Sequence, residues 1–263
     1  MEYLKYDNMN LTGTVLRIEK SSIFDGDGIR TVIFTKGCPL RCAWCSTPES
    51  QDTKIQASLD NKIIYGSIMS VEEVITEIRK DIPFYFHSGG GMTVSGGEIL
   101  VQPTFVKAIL KQCMYEGINT CIETTLLGPW ENVKEILSYT DTAFVDLKFM
   151  DDKLHMKYTG VSNKLILENI KKAGSKKSDT RIIIRRPIIP GLNDTEEELI
   201  SMGQFLNELP GITHVQLLPY HRLGTDTYRK LGIKYPLKEI EVPTSEYMEN
   251  CKKLLEKYVK TIL

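Results

Sequence analysis

Cys38, Cys42 and Cys45, in the string GCPLRCAWC, are the side chains of this sequence best suited to chemistry. Gaps of three and then two residues bring three thiolates to one side of a single turn. A closed tetrahedral zinc site, or a four-iron cluster held wholly by protein, takes four such ligands. A cluster with three protein thiolates keeps one iron open to a substrate, which makes the loop a place for reaction rather than a staple. A zinc ion that borrows a distant fourth ligand, such as one of the four histidines, is the competing reading of this spacing. Gly37 permits a sharp exit from the apolar run TVIFT, Pro39 stiffens the loop, and Trp44 sets an aromatic face beside the third cysteine.

A second group lies in MTVSGGEIL, where a strand runs into Ser95-Gly96-Gly97-Glu98. Backbone atoms unobstructed by side chains, next to one carboxylate, suit the ammonium of an amino acid head group. Taken alone, the same four residues also read as an ordinary glycine turn. The preceding Gly89, Gly90 and Gly91 read as a flexible lead-in, since no Walker-type lysine follows them. VDLK places Asp146 and Lys148 at a strand end, where a solvated ion pair is the plainer reading. His221 in PYHRLG either serves a site or caps a loop. Arg185 and Arg186 are adjacent, so strand alternation gives only one of them to any one face. His87, His155 and His214 belong to no motif and read as structural.

The elements that must carry these residues alternate along the chain. Strands are predicted at 31–35, 92–95, 120–124, 143–147, 181–188 and 213–218, with an edge strand at 11–18. Helices are predicted at 70–80, where Ser70 can cap, at 103–115, and at 195–209, which opens on three glutamates. A C-terminal helix is predicted at 245–259, and 51–67 reads as an exposed excursion. Repeated strand–helix units imply right-handed crossovers and a parallel sheet with helices outside. The fold expected is α/β, an open partial (β/α)6 TIM-like barrel, with a doubly wound sheet as the alternative. Both gather ligands at the carboxyl ends of the strands, where the motifs fall. No linker, repeat or low-complexity tract divides the 263 residues, so one domain is expected.

Composition narrows the class. Lys and Arg number 33 against 34 Asp and Glu, which gives no bias toward nucleic acid or anionic membrane. No apolar run reaches the roughly 18 residues of a membrane span. The N-terminal MEYLKYDNMN lacks the layout of a secretory signal. Cys113, Cys121 and Cys251 are scattered through apolar segments and read as small buried hydrophobes, so a cytoplasmic location without disulfides is expected.

With these residues in place, the sequence resembles the radical S-adenosylmethionine (SAM) superfamily, and more narrowly the activating enzymes of glycyl radical enzymes, including the single-cluster pyruvate formate-lyase type. The resemblance rests on SSIFDGDGIRTVIFTKGCPLRCAWCSTPESQ, SGGEIL, VDLKFMD, RRPIIPGLND and LLPYHRLG, in that order across most of the chain. It implies one [4Fe–4S] cluster on Cys38, Cys42 and Cys45, with the loop at 37–46, and SAM chelated to the open iron. Trp44 then matches a position near the adenine, Gly96, Gly97 and Glu98 the segment that meets the methionyl ammonium, and Asp146 and Lys148 positions around the methionyl carboxylate. His221 matches a histidine near the ribose, and Arg185 an arginine lining the cleft. Glu123, Thr124 and Asp146 match positions for a monovalent cation. No catalytic side chain beyond the cluster and the SAM site is expected. The implied activity is reductive cleavage of SAM and removal of a hydrogen from a glycine of a partner glycyl radical enzyme. The implied partners are that enzyme and a flavodoxin or ferredoxin-type donor, the protein itself being a monomer.

Three departures qualify the resemblance. Many such activators carry a ferredoxin-like insertion with further cysteines, whereas residues 46–112 here contain none, although CAWCSTPESQ looks like the insertion-bearing group. Glu123-Thr124 stands where an aspartate-threonine pair is usual, and Asp27 where DGDG usually has proline. The alternative function is a radical SAM enzyme acting on a small molecule, such as a nucleoside precursor.

Overall fold

A computed structural model describes residues 8–263. The first seven residues, part of the stretch read as lacking a leader, lie outside the described residues. Two compact units are formed, each α/β. The first takes the described residues up to Pro39, Glu49–Thr124 and Gly128–Ala143; the second takes Leu40–Pro48, Thr125–Leu127 and Phe144–Leu263.

The first unit contains β1 (Thr12–Ser22), β2 (Arg30–Thr35), the short ribbon β3 (Gln56–Ala57) and β4 (Ile64–Tyr65), and β5 (Ser67–Ser70). There follow α1 (Val71–Arg79), α2 (Ile82–Ser88), β6 (Gly91–Gly96), α3 (Pro103–Tyr115), β7 (Asn119–Thr124) and α4 (Trp130–Leu137). Its strand order is β5-β1-β2-β6-β7. β2, β6 and β7 are parallel, while β1 runs antiparallel to both of its neighbours. β2 is apolar on both faces, as a strand covered on both sides is, and Val32, Ile33, Met92, Val94 and Ile122 are all fully buried. The edge expected at β1 passes to β5, which pairs alongside it on the way into α1. Ser70 and Glu73 form a reciprocal capping box that starts α1, and Val74, Ile75 and Ile78 bury its inner face.

The glycine run before β6 is not a flexible lead-in. A Cβ on Gly90 would stand 1.9 Å from the Ile29 carbonyl oxygen, and one on Gly91 2.1 Å from that of Asn119. Gly90 and Gly91 are there because two backbones approach, whereas Gly89 closes α2 in the left-handed region. Beside them the buried Arg30 guanidinium donates to Thr93 Oγ1 at 2.7 Å, Asn119 Oδ1 at 3.0 Å and the Asp27 carbonyl at 3.1 Å. Thr93 Oγ1 in turn donates to the Asp25 carbonyl at 2.7 Å, so the arginine of DGDGIR braces the loop that precedes it.

The second unit contains most of β8 (Thr142–Asp146), then α5 (Asp152–Thr159), α6 (Lys164–Gly174), β9 (Arg181–Ile188) and α7 (Glu196–Asn207). It continues with β10 (Ile212–Pro219), α8 (Thr225–Lys230), α9 (Ser245–Leu255) and β11 (Thr261–Ile262). The strand order is β8-β9-β10-β11, with β9, β10 and β11 parallel. Val145, Ile184, Val215 and Leu217 form a core with Ile166 and Ile170 of α6 and Leu199 and Met202 of α7. A second, aromatic cluster joins Trp44, Phe149, Tyr220, Tyr228 and Tyr235. All six predicted strands after the first appear within one residue of their expected ends. The C-terminal helix stops at Leu255, and the chain then turns back to add β11 beside β10.

Candidate functional site

The root of the cysteine loop is zipped to its own exit. Gly37 N–H donates to the Ser50 carbonyl at 2.7 Å and Cys38 N–H to that of Gln51 at 3.1 Å. Lys36 is fully buried, its ammonium bonded to the Glu49 carbonyl, and burial lowers its pKa. Gln102 Nε2 donates to the Lys36 carbonyl and to that of Thr14, both at 2.9 Å. These two side chains escaped sequence reasoning; the only signal was a lysine closing an apolar strand.

The SGGE segment packs against this root. Gly97 N–H donates to Thr35 O at 3.0 Å and Glu98 N–H to Gly37 O at 2.8 Å. These donors being taken, the segment offers a ligand its acceptors, the groups an ammonium needs. A Cβ on Gly97 would stand 2.1 Å from the Gly37 oxygen and 3.2 Å from that of Ser50. Backbone cannot swing aside as a side chain does, so Gly97→Ala is expected to push the loop root outward. The expected outcome is a several-fold fall in iron retained after anaerobic reconstitution, with stability lower by about 2–3 kcal/mol in urea unfolding. Unchanged iron content would show that the root tolerates the shift.

The buried Glu98 carboxylate accepts from Thr124 Oγ1 at 2.5 Å and from Leu100 N–H at 3.2 Å. Glu123 accepts from Ser95 Oγ at 2.5 Å. Alternation along β7 turns the two neighbours to opposite faces, Thr124 toward Glu98 and Glu123 toward Ser95.

In the second unit, Cys42 and Cys45 are joined by a turn in which Cys45 N–H donates to Cys42 O at 3.1 Å. The turn is docked on the end of α5: Arg41 N–H meets Thr159 O at 2.6 Å and Ala43 N–H meets Tyr158 O at 2.9 Å. Trp44 is buried, its ring 5.9 Å from that of Phe149, which stacks at 5.7 Å on Tyr158. Asp146 and Lys148 pair at 3.0 Å, with Lys148 largely buried and Asp146 about a third exposed at 34%. Their charges act on the Cys42 thiol, which burial pushes up to about 12; Lys148 opposes that rise, while Cys45 and Asp146 add to it.

The adjacent arginines part as alternation requires. Arg185 lies with its Cζ 3.4 Å from the centre of the Phe144 ring and donates to Gln216 at 2.9 Å. Phe144 and Asp146 are two residues apart on β8, so Arg185 and Asp146 share a face. Arg186 turns to α7 and pairs with Glu198 at 2.8 Å. His221 stands exposed after β10 and accepts from Leu223 N–H at 3.4 Å.

None of the six cysteines is in a disulfide, and the three of the loop are half-buried. Among the described residues no three His, Cys, Asp or Glu side chains converge as ligands of a single metal ion. The buried His155 is occupied, with Nδ1 2.7 Å from the Val161 carbonyl and 3.0 Å from Thr159 Oγ1. A four-iron cluster asks instead for one soft thiolate at each of several separate irons, and the three cysteines of the loop, none in a disulfide, fit that donor set.

Comparison with known proteins gives the same class. The model of the radical SAM superfamily matches residues 32–203. The (2S)-3-sulfopropanediol dehydratase activating enzyme of Klebsiella oxytoca is 37% identical over 302 residues, covering 95% of each chain. The pyruvate formate-lyase-activating enzyme of Clostridium pasteurianum is 35% identical over 251 residues, covering 95% of this chain and 98% of its own. The longer alignment over the same share of this chain means that the Klebsiella protein carries residues absent here. A solved domain of pyruvate formate-lyase-activating enzyme from Bacteroides vulgatus ATCC 8482 is 34% identical, with TM-score 0.56, covering 66% of this chain and 98% of that one. A radical SAM methyltransferase from Sphaerobacter thermophilus, 14% identical with TM-score 0.60, covers 94% of this chain and 76% of its own, and shares the fold. The chain therefore belongs to the radical SAM superfamily, α/β proteins of partial TIM-barrel type that use a [4Fe–4S] cluster and S-adenosylmethionine, and within it to the activating enzymes of glycyl radical enzymes.

Proposed function

We propose that this activating enzyme works with one [4Fe–4S] cluster on Cys38, Cys42 and Cys45, and that it binds SAM with the side chains around that loop. When bound, cluster and sulfonium supply one-electron chemistry: SAM is cleaved to methionine and a 5′-deoxyadenosyl radical, which removes a hydrogen from a glycine α-carbon of the partner enzyme. The observation that carries the reading is the half-buried three-cysteine loop, with none of its thiols in a disulfide, in a chain of the activating-enzyme family.

The chain's own residues then hold and aim. Glu98, oriented by the Thr124 hydroxyl, takes the methionyl ammonium with acceptors of Gly96 and Gly97. Lys148 takes the carboxylate, Trp44 flanks the adenine, His221 reaches the ribose, and Arg185 lines the face it shares with Asp146. Because Glu123 and Thr124 face opposite sides of β7, a monovalent cation held with Glu123 and Asp146 would take Thr124 through its backbone carbonyl. Excluding water protects the radical until the glycine arrives, and a glycine-bearing loop enters such a site without side-chain hindrance.

Cys113, Cys121 and Cys251 are each buried apart from the loop, which supports a single cluster and an external flavodoxin or ferredoxin-type donor. Six cysteines, none in a disulfide, support a cytoplasmic location, and no described helix is long and apolar enough to cross a membrane. The protein acts as a monomer whose catalytic domain spans 1–263, with no role for nucleic acid.

The test is anaerobic. Reconstituted protein is expected to hold about four irons per chain, to release 5′-deoxyadenosine from SAM when reduced, and to raise a glycine-centred radical signal in a matched glycyl radical enzyme. Zinc in place of iron, or no cleavage by intact reduced protein, overturns the reading.

A further inference from the structure

The loop that leaves β8 carries Lys148, and its backbone is gripped by three side chains from elsewhere in the second unit. Asn193 Nδ2 donates to the Lys148 carbonyl at 3.1 Å. Asn163 Nδ2 donates to the carbonyls of Phe149 at 3.0 Å and Met150 at 2.8 Å. Glu198 accepts from the N–H groups of Met150 at 2.9 Å and Asp151 at 2.8 Å. None of the three is more than 6% exposed, and Asn193 is wholly buried.

The grip is itself fixed. Asn193 Nδ2 also donates to the Pro187 carbonyl at 2.7 Å, and its Oδ1 accepts from Ile189 N–H at 2.9 Å. Arg186, fully buried, donates to the Asn193 carbonyl at 2.5 Å and to Glu198 at 2.8 Å. Apolar burial alone would keep this loop in the core, since Leu147 and Phe149 are already at 0% exposure. Burying two amides and an ion pair is tolerable only where their polar atoms are bonded. Within this network only Arg186 Nε is buried without a hydrogen-bond partner, and what the bonded groups add to packing is direction. Direction matters at Lys148. A lysine ammonium is a point charge on a flexible stem with many rotamers. Where it meets a ligand is set by its backbone and by Asp146, 3.0 Å away.

We propose that Asn193, backed by Asn163 and the Arg186–Glu198 pair, is a positioning residue for the SAM carboxylate, acting through Lys148. This rests on the reading that Lys148 meets that carboxylate. Asn193→Asp is the sharpest probe. It keeps the size and the acceptor for Ile189 N–H but turns an oxygen toward the Lys148 and Pro187 carbonyls. Reconstituted holoenzyme is compared with the variant by iron content and by equilibrium dialysis of SAM and of decarboxylated SAM, which lacks the carboxylate.

The expected result is full iron content, a Kd for SAM raised about tenfold, and an unchanged Kd for decarboxylated SAM. In a Lys148→Ala background, Asn193→Asp should weaken SAM no further. Equal weakening of both ligands, or additive effects with Lys148→Ala, overturns the proposal while leaving the Lys148 reading intact. If Lys148→Ala alone leaves SAM affinity unchanged, the underlying reading fails first. Should the aspartate variant lose its iron, Asn193→Ala is read in the same way; loss of iron in both overturns a positioning role in favour of a general brace.

Discussion

Cys42→Ala is expected to abolish SAM cleavage, with 5′-deoxyadenosine release falling to background and bound iron well below that of the parent protein. Cys42 and Cys45 share one tight turn, docked by backbone hydrogen bonds on the end of α5, so removing the thiol leaves the turn in place and deletes only the ligand. Burial pushes that thiol up to about 12, and a bound iron, which takes the thiolate, works against that shift. Two thiolates are then too few to retain a cluster open at one iron. Cys113→Ala is the control. Cys113 is fully buried in α3 with its thiol proton held by burial, and the smaller side chain costs roughly 1–2 kcal/mol of stability with no change in iron. Full iron and undiminished cleavage in Cys42→Ala would remove this cysteine from the cluster.

Glu198→Ala is expected to be among the most destabilising single changes in the second unit. Arg186 is at 0% exposure, and burial lowers its pKa while Glu198 raises it. Without the carboxylate, a guanidinium stays buried without its counter-charge, and the N–H groups of Met150 and Asp151 lose their acceptor. Breaking one side of a buried pair costs about 3–5 kcal/mol, a fall in Tm on the order of 10 °C for a chain of this size. The double variant Arg186→Met/Glu198→Ala should recover part of the loss, because replacing a whole buried pair by apolar atoms is often nearly neutral. Thermal unfolding of the parent, both single variants and the double variant checks this. A Glu198→Ala protein within about 1 kcal/mol of the parent would show that the pair contributes little.

The legible part of this protein was local. β2 and β9 hold short runs of buried aliphatic residues, Val32-Ile33 and Ile182–Ile184, and such strands announce themselves through composition. α1 and α7 open on Ser70 and Thr195, whose side chains accept from the third residue of each helix, a signal contained within four positions. The cysteine loop is equally local, because a cluster's ligands must come from neighbouring residues if one turn is to hold them. What was misread depended on distant partners. The glycines at 89–91 looked mobile because sequence does not show Ile29 and Asn119 pressing against Gly90 and Gly91. Glu198 looked like one of three acids placed for the helix dipole, yet it turns inward, since only Arg186 and the loop at 150–151 make that burial tolerable.

By itself the sequence determined the six strands that follow the edge strand, the three thiols and the family, since each is written in spacing and residue type along short stretches. Only the tertiary structure decided that Arg185 shares a face with Asp146 while Arg186 faces α7, that Glu98 is held by Thr124, and that Asn193 reaches across 45 positions to grip Lys148. The reason is physical. Strand alternation fixes that two neighbours differ, but which of them faces the site depends on the charges and backbone groups that packing brings to each side.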